Sequence, residues 1–243
     1  MDEDLILQVH YQPKVNLKSN EIYGVEALAR FSNSIGEIFN TDEVLKNFKS
    51  EKEIISFSTL VINNVFKDFN NNDNIKKGFN VSVNISAIEI ENLNFQNWFR
   101  NEVLNNIHIK NNFEFEFELT EQYKIKSEDV FFDRLEYLRN SGIKLSIDDL
   151  GKGFNNKDLI YKYKFDLVKL DKSFISLAKK NRNIVRNLID EIKNLNLRVL
   201  IEGVERQDEL EIAKSLNCDF AQGFYLGKPC CLKDFLLLYK NYS

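Results

Sequence analysis

Proline and glycine are scarce in this chain, with two and nine among 243 residues. No stretch is long, polar and rich in Pro, Gly or Ser, so nothing reads as an interdomain linker and a single unit spanning 1–243 is expected. Cysteine is also scarce. Cys218, Cys230 and Cys231 are too few and too clustered for a disulfide framework and lack the paired spacing of a zinc site, so they read as reduced structural thiols. The only histidines are His10 and His108, which argues against a His-rich zinc or iron centre. An excess of positive charge is missing as well: the net charge is -4, and no nucleic-acid polymer is expected as a partner. No apolar run approaches the roughly 18 residues of a membrane span, and Met1-Asp2-Glu3-Asp4 is acidic where a secretory leader is basic. A soluble, cytoplasmic chain without membrane insertion is expected.

The hydrophobic share, 43%, is enough for a sizeable core. Short β-rich runs alternate with helical patterns, the mark of βα units closing on a largely parallel sheet. The runs are Gln8 to Leu17, Ile22 to Leu28, Phe79 to Asn84, Phe113 to Leu119, Lys144 to Asp148, Asp166 to Leu170, Arg198 to Glu202 and Asp219 to Gln222. Ile184, Val185, Leu188, Ile189, Ile192 and Leu195 recur at helical spacing, and Ser127 before Glu128 and Asp129 reads as an N-cap. Asn70 to Asn74 reads as a solvated loop. About eight strands in this length predict an α/β fold of the (β/α)8, TIM-like barrel type. The first two runs are separated only by Lys18-Ser19-Asn20-Glu21, enough for a hairpin but not a crossover helix, so one strand near the N-terminus should run antiparallel.

Every run after the first carries, at or near its end, a residue that a buried strand avoids: Glu26, Asn84, Glu118, Asp148, Lys169, Glu202 and Gln222. One such residue is usually a cap or a rim group; several together point to the mouth on which barrel strand ends converge. Alternation sharpens this, since Phe113, Phe115 and Phe117 share one strand face and Glu114, Glu116 and Glu118 the other. In a barrel the phenylalanines pack on the helices and the polar side faces inward, whereas a half-exposed antiparallel strand gives the same pattern. Glu26, Asn84, Glu118, Asp148, Asp149 and Glu202 form an oxygen-rich set of the kind that Mg²⁺ or Mn²⁺ requires. Asp148 and Asp149 repel unless a cation compensates them; Lys169 is a candidate, or it snorkels to the rim.

Eight motifs, in order along nearly the whole chain, resemble those of the EAL family of cyclic di-GMP phosphodiesterases. They are Tyr11-Gln12-Pro13, Val25-Glu26-Ala27-Leu28-Ala29-Arg30, Val81-Ser82-Val83-Asn84-Ile85-Ser86, Glu118-Leu119-Thr120-Glu121, Ile147-Asp148-Asp149, Lys169-Leu170-Asp171-Lys172-Ser173-Phe174, Glu202-Gly203-Val204-Glu205 and Gln222-Gly223-Phe224. The resemblance implies metal-dependent opening of cyclic di-GMP to linear 5′-pGpG, with no organic cofactor and with a homodimer as the working form. It implies Glu26, Asn84, Glu118 and Asp148 as ligands of a first Mg²⁺ or Mn²⁺, and Asp148, Asp149 and Glu202 as ligands of a second. Lys169, with Asp149 and Glu202, would act on the attacking water; Gln12, Arg30, Asp171 and Gln222 would contact substrate; Thr120 and Glu121 would anchor the loop after the metal aspartates.

That loop departs from the family pattern DFGTGYSS, reading Asp149-Leu150-Gly151-Lys152-Gly153-Phe154-Asn155-Asn156. Its glycines keep the turn while side-chain bonds are expected to be lost, and Lys152 brings positive charge near the cation positions. Every metal-binding and catalytic position of the resemblance keeps its expected residue, so an active phosphodiesterase is expected first. The alternatives are a weak or inactive domain acting as a cyclic di-GMP receptor or protein-interaction module, and a barrel hydrolase for another phosphoester.

Overall fold

The computed structural model describes residues 5–70, 72–107, 113–155 and 157–242. The acidic N-terminal residues, Asn71, His108 and Asn156 lie outside them. Among the described residues nine strands form, in chain order: β1 (Ile6–Asn16), β2 (Ile22–Ser32), β3 (Ile38–Phe39), β4 (Phe79–Ile85), β5 (Phe113–Leu119), β6 (Lys144–Ile147), β7 (Leu167–Leu170), β8 (Arg198–Ile201) and β9 (Phe220–Ala221). Eight close into a barrel in the order β1-β9-β8-β7-β6-β5-β4-β2, with β1 pairing back onto β2. β1 runs antiparallel to both neighbours, and the remaining barrel pairs are parallel. The predicted barrel and its antiparallel first strand are both present.

Two details differ from expectation. β2 extends to Ser32 and pairs there with β3, a two-residue ninth strand outside the barrel, so Glu26 lies in mid-strand. Asp148, Glu202 and Gln222 stand one residue beyond their strands, while their backbone N–H groups continue the ladder onto Leu119, Leu170 and Ile201.

The hairpin between β1 and β2 turns on Asn16, whose side-chain oxygen accepts from the N–H groups of Lys18 and Ser19, and on Asn20 in the left-handed region. Helix Arg182–Asn194 carries the predicted apolar stripe inward through Val185, Ile189 and Ile192. Ser127 does precede helix Glu128–Asn140 with extended backbone, though its side chain makes no cap bond.

β5 settles the alternation. It is parallel to both β4 and β6, which excludes the half-exposed antiparallel alternative. Phe113, Phe115 and Phe117 are buried on its outer face against Phe66, Phe69 and Phe99 of the helical layer. Full burial of one such ring stabilises by roughly 1.5–3 kcal/mol. Glu116 and Glu118 point into the barrel and are fully buried. Below them Tyr23 stacks on Phe220 at 4.1 Å, and the Arg198 guanidinium lies over both rings. The interior is packed rather than a pore, and strand register carries the remaining polar groups to one mouth. Among the described residues no helix is long and apolar enough to cross a membrane.

Candidate active site

Asn84 and Glu118 pair across β4 and β5, and Gln12 and Glu26 pair across β1 and β2, so both pairs sit level on neighbouring strands. The centre of the mouth is the Lys169 ammonium, fully buried at the end of β7. Its Nζ lies 2.9 Å from Glu118, 2.9 Å from Glu202, 3.2 Å from Glu26 and 3.2 Å from Asp148. The rim position open to a snorkelling lysine is not the one it takes. Glu26 also accepts from Asn84 Nδ2 at 3.3 Å and from Gln222 Nε2 at 2.8 Å, and Gln222 donates to Gln12 Oε1 at 3.1 Å.

Charge is unevenly balanced here. Burial alone would lower the Lys169 pKa, but the four carboxylates hold it well above the usual lysine value. Burial works against ionisation of Glu118 too, yet Lys169 and Lys14 keep its carboxyl down at about 2. For Asp148, burial, opposed by Lys169 and reinforced by Glu202, Glu118 and Glu26, pushes the carboxyl well up. Burial likewise raises Glu202 to about 7 against the pull of Lys169. Lys169, with Lys14 on Glu118 alone, does not neutralise this group of four carboxylates, and the raised pKa values of Asp148 and Glu202 mark where a further cation would displace protons.

Two features fit these residues to a divalent cation. Carboxylate oxygens of Asp148, Asp149 and Glu202 all lie within 4.8 Å of one another. Asn84 Oδ1 is buried and has no hydrogen-bond partner among the described residues, although the amide is held through its Nδ2. The donor set is oxygen throughout, as hard cations prefer.

Asp149 adopts a left-handed backbone, φ 48°. Its N–H donates to Asp148 Oδ1 at 3.0 Å. The loop that follows is held at several points. Gly151 N–H donates to the Asn155 carbonyl at 2.7 Å and Phe154 N–H to the Glu121 carbonyl at 3.0 Å. Gly153 has φ 48°, and a Cβ there would lie 2.5 Å from that same carbonyl, so glycine is required. Glu121 thus meets the loop through its backbone and side-chain stem. Thr120 lines the mouth, its Oγ1 without a hydrogen-bond partner among the described residues.

The altered loop does not forgo side-chain bonds. Asn155, nearly fully buried, donates to the carbonyls of Leu119 at 2.9 Å and Asp148 at 2.6 Å, tying β5 to the carboxylate cluster. Lys152 Nζ sits 2.6 Å from Asp171 and 3.4 Å from Asp149, and Asp171 also takes a short bond from Ser173 Oγ.

Two hollows open on the mouth. One, about 370 Å³, is walled by Gln12, Glu26, Asp149, Lys152, Asp171 and Glu202. The other, about 200 Å³, is walled by Arg30, Asn84, Ser86 and Thr120 among apolar groups, with Leu28 shared between them. Arg30 is therefore set apart from the other residues expected to contact substrate, and it donates to its neighbour's carbonyl, Ala29 O, at 2.7 Å.

Sequence reasoning passed over Lys14, though not its acidic partners. Lys14 is fully buried inside the barrel, 2.8 Å from Ser82 Oγ, 3.3 Å from Glu118 and 3.6 Å from Glu116. Glu116 is further satisfied by Asn80 at 2.9 Å and Ser146 at 2.7 Å. The signal was available: Lys14 shares the inward parity of Gln12 on β1.

Comparison with known proteins agrees with this geometry. The EAL domain family model matches residues 4–229. The oxygen sensor protein DosP of Escherichia coli is 27% identical over 233 residues, covering 92% of this chain and 28% of DosP. The probable cyclic di-GMP phosphodiesterase PdeG of Escherichia coli is 26% identical over 237 residues, covering 93% of this chain and 45% of PdeG. The chain thus spans less than half the length of these two relatives. Among solved structures, the PaMucR phosphodiesterase in complex with c-di-GMP superposes with a TM-score of 0.79 at 26% identity, covering 94% of each chain. A closed barrel with these carboxylates at its mouth and a family match over almost the whole length lead to one conclusion: the chain belongs to the EAL domain family.

Proposed function

We propose that this chain hydrolyses cyclic di-GMP to linear 5′-pGpG with the help of two Mg²⁺ or Mn²⁺ ions. The observation that carries the reading is the charge imbalance of the mouth: four carboxylates around Lys169, with Asn84 Oδ1, which has no hydrogen-bond partner among the described residues, beside them. Glu26, Asn84, Glu118 and Asp148 would hold one ion, and Asp148, Asp149 and Glu202 the other. Bound there, the ions supply Lewis-acid polarisation of a phosphoryl oxygen and a lowered pKa for water. Lys169, kept protonated by its carboxylates, donates hydrogen bonds at the centre of the mouth and orients the attacking water. Water oxygen bonds to phosphorus, the bond from phosphorus to one ribose oxygen breaks, and the proton passes to the departing alkoxide. Gln12, Asp171 and Gln222 in one hollow and Arg30 in the other suit a ligand with two arms about its phosphates, a guanidinium matching phosphate bidentately. PdeG is named a probable cyclic di-GMP phosphodiesterase and PaMucR a phosphodiesterase, solved in complex with c-di-GMP, which supports the substrate.

A symmetric homodimer belongs to the same reading. Phe154, on the loop that anchors Asp149, leaves 47% of its surface exposed, and sedimentation tests the assembly. Purified protein with cyclic di-GMP and Mn²⁺ or Mg²⁺, with products separated by chromatography, should give 5′-pGpG; unchanged substrate would overturn the proposal. Ca²⁺ should inhibit, its looser coordination shell being a poor substitute for Mg²⁺. One observation favours a second reading, a receptor that binds without cleaving: Lys152 already engages Asp149 and Asp171. Binding of cyclic di-GMP without any product in that assay would select it.

A further inference from the structure

We infer that Lys152 is a built-in competitor of the second metal ion, pairing with Asp149 and Asp171 so that this chain loads that ion weakly and the first one normally. The inference rests on the two-metal reading and concerns a residue for which that reading has no role.

The pairing is a product of the loop's shape. Lys152 N–H donates to the Asp149 carbonyl at 2.9 Å, and Asn155 N–H donates to the Lys152 carbonyl at 3.0 Å. With Asp149 in the left-handed region, this turn sets the two side chains on the same side, 3.4 Å apart. Asp171 reaches the same ammonium from the end of β7 at 2.6 Å and is itself oriented by Ser173. Burial works against the carboxylate of Asp171, but the Lys152 and Ser173 bonds outweigh it and hold its pKa below the usual value.

Apart from Lys14, which reaches Glu118 from inside the barrel, two cations hold separate territories in the mouth. Lys169 serves the four inner carboxylates, and Lys152 serves the outer pair. Asp149 belongs to both the Lys152 pair and the cluster of three carboxylates with Asp148 and Glu202. A divalent ion entering that cluster meets an ammonium already on one of its ligands, and the like charges repel at short range. Glu26, Asn84, Glu118 and Asp148 make no ion pair with Lys152, so the first ion escapes this competition. Lys152 is 47% exposed at its side chain, and an exposed ion pair is weak, so the long stem can swing into solvent when the ion wins. The outcome is a bias against the second ion, not a block.

The test is Mn²⁺ binding to chelator-stripped protein, followed by calorimetry and by electron paramagnetic resonance of free Mn²⁺, for wild type, Lys152→Thr and Lys152→Met. Wild type should bind one ion tightly and one weakly. Both variants should tighten the weak step by up to about fivefold, the equivalent of roughly 1 kcal/mol, with the tight step unchanged. Removing an exposed loop side chain leaves the core untouched, and the methionine variant keeps the stem while deleting the charge. Equal second-step affinity in all three proteins would overturn the inference and leave the two-metal reading standing. Absence of any Mn²⁺ binding in all three would overturn that reading and this inference with it.

Discussion

Four carboxylates lie within 3.2 Å of the Lys169 ammonium, and of the four Glu118 also reaches Lys14, which it shares with Glu116. Removing the ammonium beside buried Glu26 and Glu118 leaves uncompensated charge, which typically costs about 3–5 kcal/mol. Lys169→Met should therefore lower the melting temperature of metal-free protein as well as kcat, and saturating Mn²⁺ should restore much of the stability but not the turnover. An unchanged melting temperature without metal would contradict the charge accounting. Glu202 adds a pH dependence. Its carboxyl is raised from 4.5 to about 7, so between those values the folded state holds a proton that the unfolded state has released. The stabilisation is full below about 4.5 and is lost as pH rises through about 7. Thermal unfolding of metal-free protein should show this decline, and Glu202→Gln should flatten it. Because the metal-bound form needs the carboxylate, Mn²⁺ affinity should rise over the same window. Parallel slopes for wild type and Glu202→Gln would count against this assignment.

On β5 the alternation of phenylalanine and glutamate is both the sequence pattern and the physical arrangement. Phe117→Ala, removing a ring buried against Phe99 and Trp98, should cost about 3–5 kcal/mol in denaturant unfolding. Glu114→Ala, on an exposed position of the same strand, should stay within about 0.5 kcal/mol. Comparable losses for the two would mean that the faces are misassigned. Period-two patterning made this strand legible to the residue, and the same holds for the start of β4 at Phe79. β1 was read less completely. Its even positions, Gln12 and Lys14, face inward, but a charged side chain is ordinarily an exposed one, and the partners that make burial tolerable, Glu116 and Ser82, are distant in sequence. β3 escaped notice because two residues, Ile38 and Phe39, show no period at all. The loop from Asp149 to Asn155 was readable as a turn from its glycines, but not the replacement bonds of Asn155, which depend on where Leu119 O and Asp148 O lie in space.

At the scale of the molecule, the barrel is closed by its first strand. β1 meets β9 at Val15 with Ala221 and Asn16 with Phe220, and the Gln222 to Gln12 hydrogen bond spans 210 positions. This closure has a consequence in time. During synthesis at roughly 5–20 residues per second, β1 emerges, pairs with β2 and then waits roughly 10–40 s for the strand that covers its other edge. Through that interval the hairpin presents an open row of backbone donors and acceptors, the kind of edge to which other chains add. Ribosome-bound chains halted before Phe220 should be cut readily by protease within β1, and chains extended past Tyr242 should resist. Equal resistance in the two would mean that the hairpin finds a temporary cover. Yield of folded protein in the cell should then respond to translation speed and to the chaperones that shelter a nascent edge.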